Sequence, residues 1–96
     1  MIIALDYDNT YTADPPFWNK FILDAEEAGH KVVCVTGRDN VEDFARPVRE
    51  SIGKLCQIVF AGSRWKREAA LAQGWKVDVW IDDTPEMIAK QILIGR

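Results

Sequence analysis

Four short apolar runs recur along the chain, and amphipathic segments separate them. Each run has the length of a strand and ends in polar residues where a loop would begin, which predicts alternating strands and helices in the order βαβαβαβα. The first three runs are apolar at nearly every position, as expected for strands of a parallel sheet that is covered on both faces. The predicted strands are residues 2–5, 32–35, 55–60 and 77–81. The sequence therefore predicts an α/β fold, a three-layer Rossmann-like sandwich around a small parallel sheet of about four strands.

Four amphipathic segments predict the helices, because each is bounded by a proline, a glycine or a capping residue. They are a segment that Pro15 and Pro16 open and Gly29 stops, residues 41–52, a segment that Ser63 caps and that runs to Gln73 before Gly74, and a segment that begins at Pro85 and carries Met87, Ile88, Gln91 and Ile92. A proline inside a helix removes one hydrogen bond and clashes with the preceding turn. Pro47 therefore predicts a kink in the second helix, or its division into two short pieces.

Length, charge and cysteine use limit the class of protein. A chain of 96 residues predicts a single domain that covers residues 1–96, without a large insertion or a second binding domain. Cys34 and Cys56 lie inside apolar runs, which favours reduced thiols and a cytoplasmic location over a disulfide framework or a metal knuckle. No apolar stretch approaches the length of a membrane span, and a net charge of −3 gives no general attraction for nucleic acid.

Polar side chains follow each apolar run, at the points where the predicted strands end. In an open parallel sheet, ligands bind just beyond the carboxyl ends of the strands, so these side chains are predicted to converge on one site. They are Asp6, Asp8 and Thr10 after the first run, Thr36, Gly37 and Arg38 after the second, Lys66 after the third, and Asp82 and Asp83 after the fourth. Carboxylates in one place repel each other, by roughly 4 kcal/mol for two charges about 4 Å apart at an effective dielectric near 20. The cluster is therefore predicted to bind a cation, and Mg²⁺ prefers such oxygen ligands.

The order of these residues resembles the four motifs of the haloacid dehalogenase (HAD) superfamily of phosphatases. Those motifs are DxDx(T/V) on the first strand, a Ser or Thr at the end of the second, a Lys or Arg before the last strand, and an Asp pair that ends it. The resemblance extends over nearly the whole chain. It implies a HAD-like fold and a Mg²⁺-dependent phosphomonoester hydrolase that works through an aspartyl-phosphate intermediate.

The resemblance also implies a role for each side chain. Asp6 is expected to be the nucleophile, and Asp8 the acid that protonates the leaving group and the base that then activates water. The other residues expected to contact the phosphoryl group or the rest of the substrate are Thr36, Lys66, Gly37, Arg38 and Thr10. The expected metal ligands are Asp6, the backbone carbonyl of Asp8, and Asp82 or Asp83. Of the last two, Asp83 is preferred as the direct ligand.

The expected substrate depends on a departure from the family. Many relatives insert a cap domain after the first or third strand, but here the predicted helices follow those strands within a few residues. An uncapped mouth favours a large substrate, such as a phosphoprotein or a nucleic-acid end, or a lid from another subunit of a homo-oligomer. Small phosphorylated molecules stay open as substrates. The chain is also similar to the polynucleotide 3′-phosphatase branch and to small phage-encoded members. Asn9 stands where many relatives carry Gly, a change that Asn tolerates because it visits left-handed conformations.

Three alternatives stay open. A phosphoryl-accepting signalling domain of the receiver type also gathers Asp, Thr, Lys and Mg²⁺ on a parallel sheet. Its accepting Asp follows the third strand, however, where this chain has Ala61 and Gly62. A catalytically silent binding module would carry the same residues with its mouth blocked or its partner missing. Finally, Arg64 or Arg67 could share or take the role of Lys66.

Overall fold

A computed structural model describes residues 1–90 of the chain and contains one sheet of four parallel strands. The strands are β1 (Ile2–Leu5), β2 (Lys31–Thr36), β3 (Gln57–Phe60) and β4 (Val79–Ile81), and they lie in the order β3–β2–β1–β4. The helices are α1 (Pro15–Glu27), α2 (Glu42–Arg49) and α3 (Lys66–Ala72), and short 3₁₀ turns occur at Tyr11–Ala13, Ile52–Lys54 and Pro85–Met87. This arrangement confirms the predicted α/β class and the small parallel sheet, and it is a small Rossmann-like fold.

The helices pack on both faces of the sheet, because successive side chains of a buried strand point to opposite faces. On one face, Leu5 of β1 packs in a cluster with Ile22 of α1 and Val48 of α2. On the other face, its neighbour Ala4 packs in a second cluster with Ala69 of α3. The two clusters give the three layers that the sequence predicts.

The second helix is shorter than predicted, since α2 covers Glu42–Arg49 rather than residues 41–52. Pro47 lies inside α2 without dividing it. The Ser51 hydroxyl donates a 2.6 Å hydrogen bond to the Pro47 carbonyl, which satisfies one of the carbonyls left free at the end of the helix. The rest of the predicted segment forms the separate 3₁₀ turn Ile52–Lys54. The break therefore lies beyond the proline and not at it.

The third helix begins later than predicted. Ser63 does not cap it, because α3 starts at Lys66 and the N-cap position belongs to Trp65, which makes no side-chain capping bond. The chain first makes a turn in which the Arg64 N–H donates to the Ala61 carbonyl at 3.1 Å. This turn uses the residues that the capping prediction assigned to the start of the helix.

Two strands also begin later than predicted. The two amides that would open β3 earlier are engaged elsewhere, since the N–H groups of Leu55 and Cys56 donate back to the Ile52 carbonyl at 2.9 and 3.1 Å. β3 therefore starts at Gln57. Before β4, the Asp78 carboxylate accepts a 2.8 Å hydrogen bond from the Ile2 N–H, in the place where a strand carbonyl would accept it. β4 consequently starts after this residue.

Only part of the fourth predicted helix lies within the described residues. There the chain forms the 3₁₀ turn Pro85–Met87, while Gln91 and Ile92 lie outside them. Both cysteines, Cys34 and Cys56, carry free thiols, as predicted. Within residues 1–90, none of the helices has the length and apolar character needed to cross a membrane.

Candidate active site

The pairing of β1 with β4 brings two of the predicted carboxylates side by side. The register pairs the last residues of these strands, so Asp6 and Asp82, which follow them, are neighbours. The Asp6 N–H donates to the Ile81 carbonyl at 3.0 Å and continues the pairing. Because side chains alternate along a strand and Ala4 packs against the α3 layer, Asp6 points toward that layer as well. The two carboxylates therefore lie at the carboxyl edge of the sheet, near the start of α3.

Lys66, the first residue of α3, lies between these two carboxylates. Its Nζ is 2.8 Å from Asp6 Oδ1 and 2.5 Å from Asp82 Oδ2, and its side chain is 6% exposed. A buried ammonium is costly unless it is paired. Burial alone would lower the pKa of Lys66, but the hydrogen bonds to Asp6 and Asp82 raise it above its ordinary value. Lys66 is therefore a charged and fixed member of the cluster.

The arginines beside Lys66 make other contacts. The Arg64 guanidinium donates to the carbonyls of Phe60 and Ala61, at 3.2 and 3.3 Å. Arg67 lines a separate groove with Trp75. Of these three basic residues, it is Lys66 that contacts the carboxylates.

Asp83 completes a group of three carboxylates. Asp6, Asp82 and Asp83 each offer one oxygen, and these oxygens lie within 4.8 Å of one another. The Thr10 Oγ1 lies 3.1 Å from Asp6 Oδ2 and 3.2 Å from Asp83 Oδ1, and it accepts a 3.2 Å hydrogen bond from the Asp83 N–H. A hydroxyl has a single hydrogen, so Thr10 donates to one carboxylate at a time. Thr10 thus ties the loop after β4 to Asp6.

Three carboxylates and one ammonium leave this group with two excess negative charges when all are ionised. Burial, opposed by the hydrogen bond from Lys66, raises the pKa of Asp6 from 3.8 to about 6, and contact with Asp83 adds to the increase. The same contact with Asp6 lowers the pKa of Asp83. The opposite directions of the two pKa shifts are those of neighbouring carboxylates, which resist ionising together. Without a cation, the cluster therefore keeps a proton up to about pH 6.

Asp8 is paired with Arg38 and not with the three-carboxylate group. The Arg38 Nε donates to Asp8 Oδ2 at 2.9 Å, and Nη2 donates to Oδ1 at 2.8 Å. Two further contacts hold the guanidinium. Its Nη1 donates to the Phe44 carbonyl at 2.9 Å, and its Cζ lies 5.1 Å from the centre of the Tyr7 ring. The side chain of Asp8 is 47% exposed, so it reaches the solvent at the rim of the site.

One open pocket of about 170 Å³ joins these groups at the carboxyl edge of the sheet. Its walls are formed by Asp6, Asp8, Lys66 and Asp83, together with Asn9, Gly37, Thr84 and Met87. A larger groove of about 560 Å³ runs along α1, but its walls are mostly apolar and include Phe17 and Phe21. Catalysis needs converging polar and titratable groups, so the smaller pocket is the candidate active site despite its size.

Thr36 is predicted to contact a phosphoryl group, but its side chain does not line this pocket. It is fully buried, and its hydroxyl accepts a 3.2 Å hydrogen bond from the Arg38 N–H. Val35 packs toward the α3 layer, so alternation along β2 turns Thr36 toward the opposite face. After β2 it is Gly37 that lines the pocket. The contact between Thr36 and substrate stays a prediction.

Three residues that line the pocket were not among the predicted contacts, namely Asn9, Thr84 and Met87. Asn9 has φ 63°, which confirms the left-handed conformation expected at that position. The places of Thr84 and Met87 depend on how the chain after β4 folds over the edge of the sheet, which no local signal in the sequence encodes.

No protein-family model matches the chain, and neither a curated protein nor a solved structure matches it. The resemblance to the HAD superfamily therefore rests on the motifs at the strand ends.

Proposed function

We propose that the chain is a Mg²⁺-dependent phosphomonoester hydrolase of the HAD type, with Asp6 as its nucleophile. The observation that carries this proposal is the meeting of Asp6, Asp82 and Asp83 within 4.8 Å, at the strand ends where the HAD motifs have their acidic residues. Exposed acidic groups are common on protein surfaces, but Asp6 is 6% exposed, bonded to Lys66, and has a pKa raised to about 6. Such a perturbed carboxyl in a cleft is typical of a functional site.

The donor set fits a hard dication. Carboxylate oxygens are the ligands that Mg²⁺ prefers, and an excess of two negative charges suits a double positive charge. The oxygens of Asp82 accept short hydrogen bonds from the Lys66 ammonium and the Thr84 N–H, at 2.5 and 2.9 Å. Asp83 is exposed, and its oxygens have longer contacts with the hydroxyls of Thr10 and Thr84, at 3.2 and 3.3 Å. We therefore assign the direct contacts to Asp6 and Asp83, and to Asp82 the task of holding Lys66. When bound, the dication would neutralise the charge of the phosphoryl group.

Asp6 would attack phosphorus through a carboxylate oxygen. A bond from Asp6 to phosphorus forms as the ester bond breaks, and the departing oxygen takes a proton from Asp8. Water then attacks the aspartyl-phosphate, gives a proton to Asp8, and releases inorganic phosphate and the free Asp6 carboxylate. Two easier displacements replace one of the slowest uncatalysed reactions. The cycle requires both carboxylates at one pocket, and both line the pocket described above.

Lys66 and the backbone at Gly37 would hold the phosphoryl group during the transfer. The ammonium of Lys66 is already fixed beside Asp6 at 2.8 Å, so it needs no reorganisation when charge develops there. Gly37 lines the same pocket, and the absence of a side chain lets the substrate approach its backbone closely. Thr36 would have to leave its buried position to add a third contact.

The substrate class we propose is a phosphate ester at the end of a large molecule, a nucleic acid or a protein. α1 begins at Pro15 and α3 at Lys66, so neither β1 nor β3 is followed by a cap domain in the described chain. Large apolar side chains are exposed on the segments that follow β2 and β3, namely Val41, Phe44 and Trp65. A macromolecular substrate could contact these exposed side chains, whereas a small metabolite would not reach them.

Turnover of p-nitrophenyl phosphate with Mg²⁺ tests the proposal. The Asp6→Asn variant should lose turnover while it still unfolds cooperatively, and chelation should abolish the activity of the wild type. Asp39→Asn is the matched control, because Asp39 is an exposed carboxylate in the loop after β2 and is not a member of the cluster. Beryllium fluoride with Mg²⁺ mimics an aspartyl-phosphate and should raise the melting temperature of the wild type but not of Asp6→Asn.

Three outcomes would count against the proposal. Removing a nucleophile costs orders of magnitude, so Asp6→Asn activity above about a tenth of wild type would contradict the assignment. Stabilisation by beryllium fluoride without turnover would instead assign a phosphoryl-accepting module. The absence of both responses, together with no turnover of 3′- and 5′-phosphorylated oligonucleotides and phosphopeptides, would favour a silent binding module.

A further inference from the structure

The geometry points to Arg38 as a positioning residue for Asp8, an inference that rests on the proposed phosphatase function. Arg38 holds the carboxylate through two parallel hydrogen bonds of 2.9 and 2.8 Å. Two parallel bonds between planar groups fix orientation as well as distance, which a single bond to an ammonium does not. Arg38 would thus act on the reaction through Asp8, and not by contact with the substrate.

Arg38 is itself held in place from three sides. Its Nη1 donates to the Phe44 carbonyl at 2.9 Å, and its guanidinium lies over the buried ring of Tyr7 at 5.1 Å. Its backbone N–H donates to the Oγ1 of the fully buried Thr36 at 3.2 Å. These contacts fix the position of the guanidinium, and Asp8 is the more exposed partner of the pair.

The pairing leaves part of the Asp8 carboxylate free to face the pocket. The two oxygens of a carboxylate offer about four acceptor sites, and a bidentate guanidinium uses two of them. The side chain of Asp8 is 47% exposed and lines the pocket beside Asp6, so the remaining sites are open toward substrate and water. A side chain this exposed would sample several rotamers if it were unpaired. Because a misplacement of about 1 Å can cost about 10²-fold in rate, a partner that selects one rotamer matters for catalysis.

Direct binding of phosphate by Arg38 is the competing explanation. Asp8 and Phe44 already engage Nε, Nη1 and Nη2. The neighbouring Gly37 lines the pocket together with Asp8, whereas Arg38 lies outside its lining. The position of the guanidinium therefore favours contact with Asp8 over contact with a phosphoryl group.

Two substrates with different leaving groups separate the explanations. Phenyl phosphate needs a proton on its leaving oxygen, while 2,4-dinitrophenyl phosphate releases a stable anion and gains little from an acid. Arg38→Gln should lower kcat/KM for phenyl phosphate by about 10²-fold without raising KM, and should lower kcat/KM for the dinitrophenyl ester much less. The comparison uses kcat/KM because it reports the transfer to Asp6, whereas kcat also contains the later attack of water, in which Asp8 serves both esters. Arg38→Lys should resemble Arg38→Gln, because a lysine keeps the positive charge but cannot form two parallel hydrogen bonds with a carboxylate. Arg46→Gln is the matched control, since Arg46 forms an exposed pair with Glu42 on α2.

A double-mutant cycle decides whether Arg38 acts through Asp8. The double variant Asp8→Asn/Arg38→Gln should be no slower on phenyl phosphate than Asp8→Asn alone. An Arg38→Gln loss in kcat/KM that is equal for both esters, a raised KM, or a loss that persists in the Asp8→Asn background would overturn the inference and assign Arg38 to substrate binding. If Arg38→Gln does not fold, Arg38→Lys carries the same cycle. A wild type that hydrolyses neither ester, and no phosphorylated oligonucleotide or phosphopeptide, would overturn the proposed function itself, which is a different result from an active wild type with additive effects.

Discussion

Asp6→Asn should stabilise the metal-free protein at pH 8. Burial raises the pKa of Asp6 from 3.8 to about 6, so ionising this carboxyl costs the folded state free energy. At about 1.4 kcal/mol for each pKa unit, the cost of the full charge is about 3 kcal/mol. Asparagine keeps the shape of the side chain and an acceptor for Lys66, which lies 2.8 Å from Asp6 Oδ1, but it carries no charge. The variant should therefore avoid most of this cost.

The gain should depend on pH in a defined direction. The folded pKa of about 6 exceeds the ordinary 3.8, so the folded wild type binds more protons than the unfolded chain between these values. Its stability therefore falls as the pH rises through this window and levels off above it. Asp6→Asn has no carboxyl to ionise at this position and does not lose stability in this way. Its free energy of unfolding should exceed that of the wild type by near zero at about pH 4 and by about 2–3 kcal/mol at pH 8. In a domain of this size, that corresponds to about 10 °C or more in melting temperature.

Unfolding by heat or urea in a chelating buffer, at pH 4 and at pH 8, measures this difference. Asp24→Asn is the control, because Asp24 is an exposed carboxylate paired with Lys20 on α1. It should change stability by less than about 1 kcal/mol at either pH. An Asp6→Asn variant no more stable than the wild type at pH 8 would refute the reasoning, since the charge on Asp6 would then be fully compensated by Lys66. Saturating Mg²⁺ should make the wild type more stable than Asp6→Asn, because a bound ion stabilises the protein that binds it more tightly, and the wild type keeps the Asp6 carboxylate.

Two further predictions concern the cation and the ammonium. The rise in melting temperature that Mg²⁺ induces should weaken as the pH falls below about 6, because a proton on Asp6 competes for the same oxygen. Magnesium titrations at pH 5 and pH 8 check this, and equal affinities would contradict it. Lys66→Met should cost the metal-free protein about 3 kcal/mol or more at pH 8, since it leaves Asp6 and Asp82 as buried charges without their partner. Urea unfolding measures the loss in the free energy of unfolding. Lys20→Met is the control, because it removes an exposed partner of Asp24 and should cost little. Equal losses in the two variants would show that the buried ion pairs of Lys66 stabilise the protein no more than an exposed pair does.

The cluster of acidic residues could be predicted because its causes are local. Asp6 and Asp82 each follow an apolar run, and parallel strands bring their carboxyl ends to one edge of the sheet. Lys66 also reached its predicted place, although the helix that carries it starts three residues after the predicted cap at Ser63. An error of a few residues in a helix start therefore does not prevent a side chain from reaching its predicted position when the strand ends define the edge.

The surroundings of Asp8 and Thr36 could not be predicted in the same way. The sequence places Thr36 at the end of the second apolar run, where polar side chains are expected to face the site, but β2 extends through Thr36 and keeps it in the alternation of buried side chains. Arg38 is 30 residues from Asp8, and their pairing depends on where the Phe44 carbonyl and the Tyr7 ring lie. No periodicity in the sequence encodes such a contact between loops.

The pair between Asp8 and Arg38 lies apart from the charges that would face a cation. The Asp8 carboxyl meets the Arg38 guanidinium at 2.8 Å, while Asp6, Asp82 and Asp83 form a separate group with Lys66. That group carries an excess of two negative charges when all four side chains are ionised. A divalent cation cancels that excess, whereas a monovalent cation leaves one negative charge to repel an incoming phosphate. The arrangement therefore favours a dication on physical grounds, and a Mg²⁺ response that Na⁺ at matched ionic strength does not reproduce would bear this out.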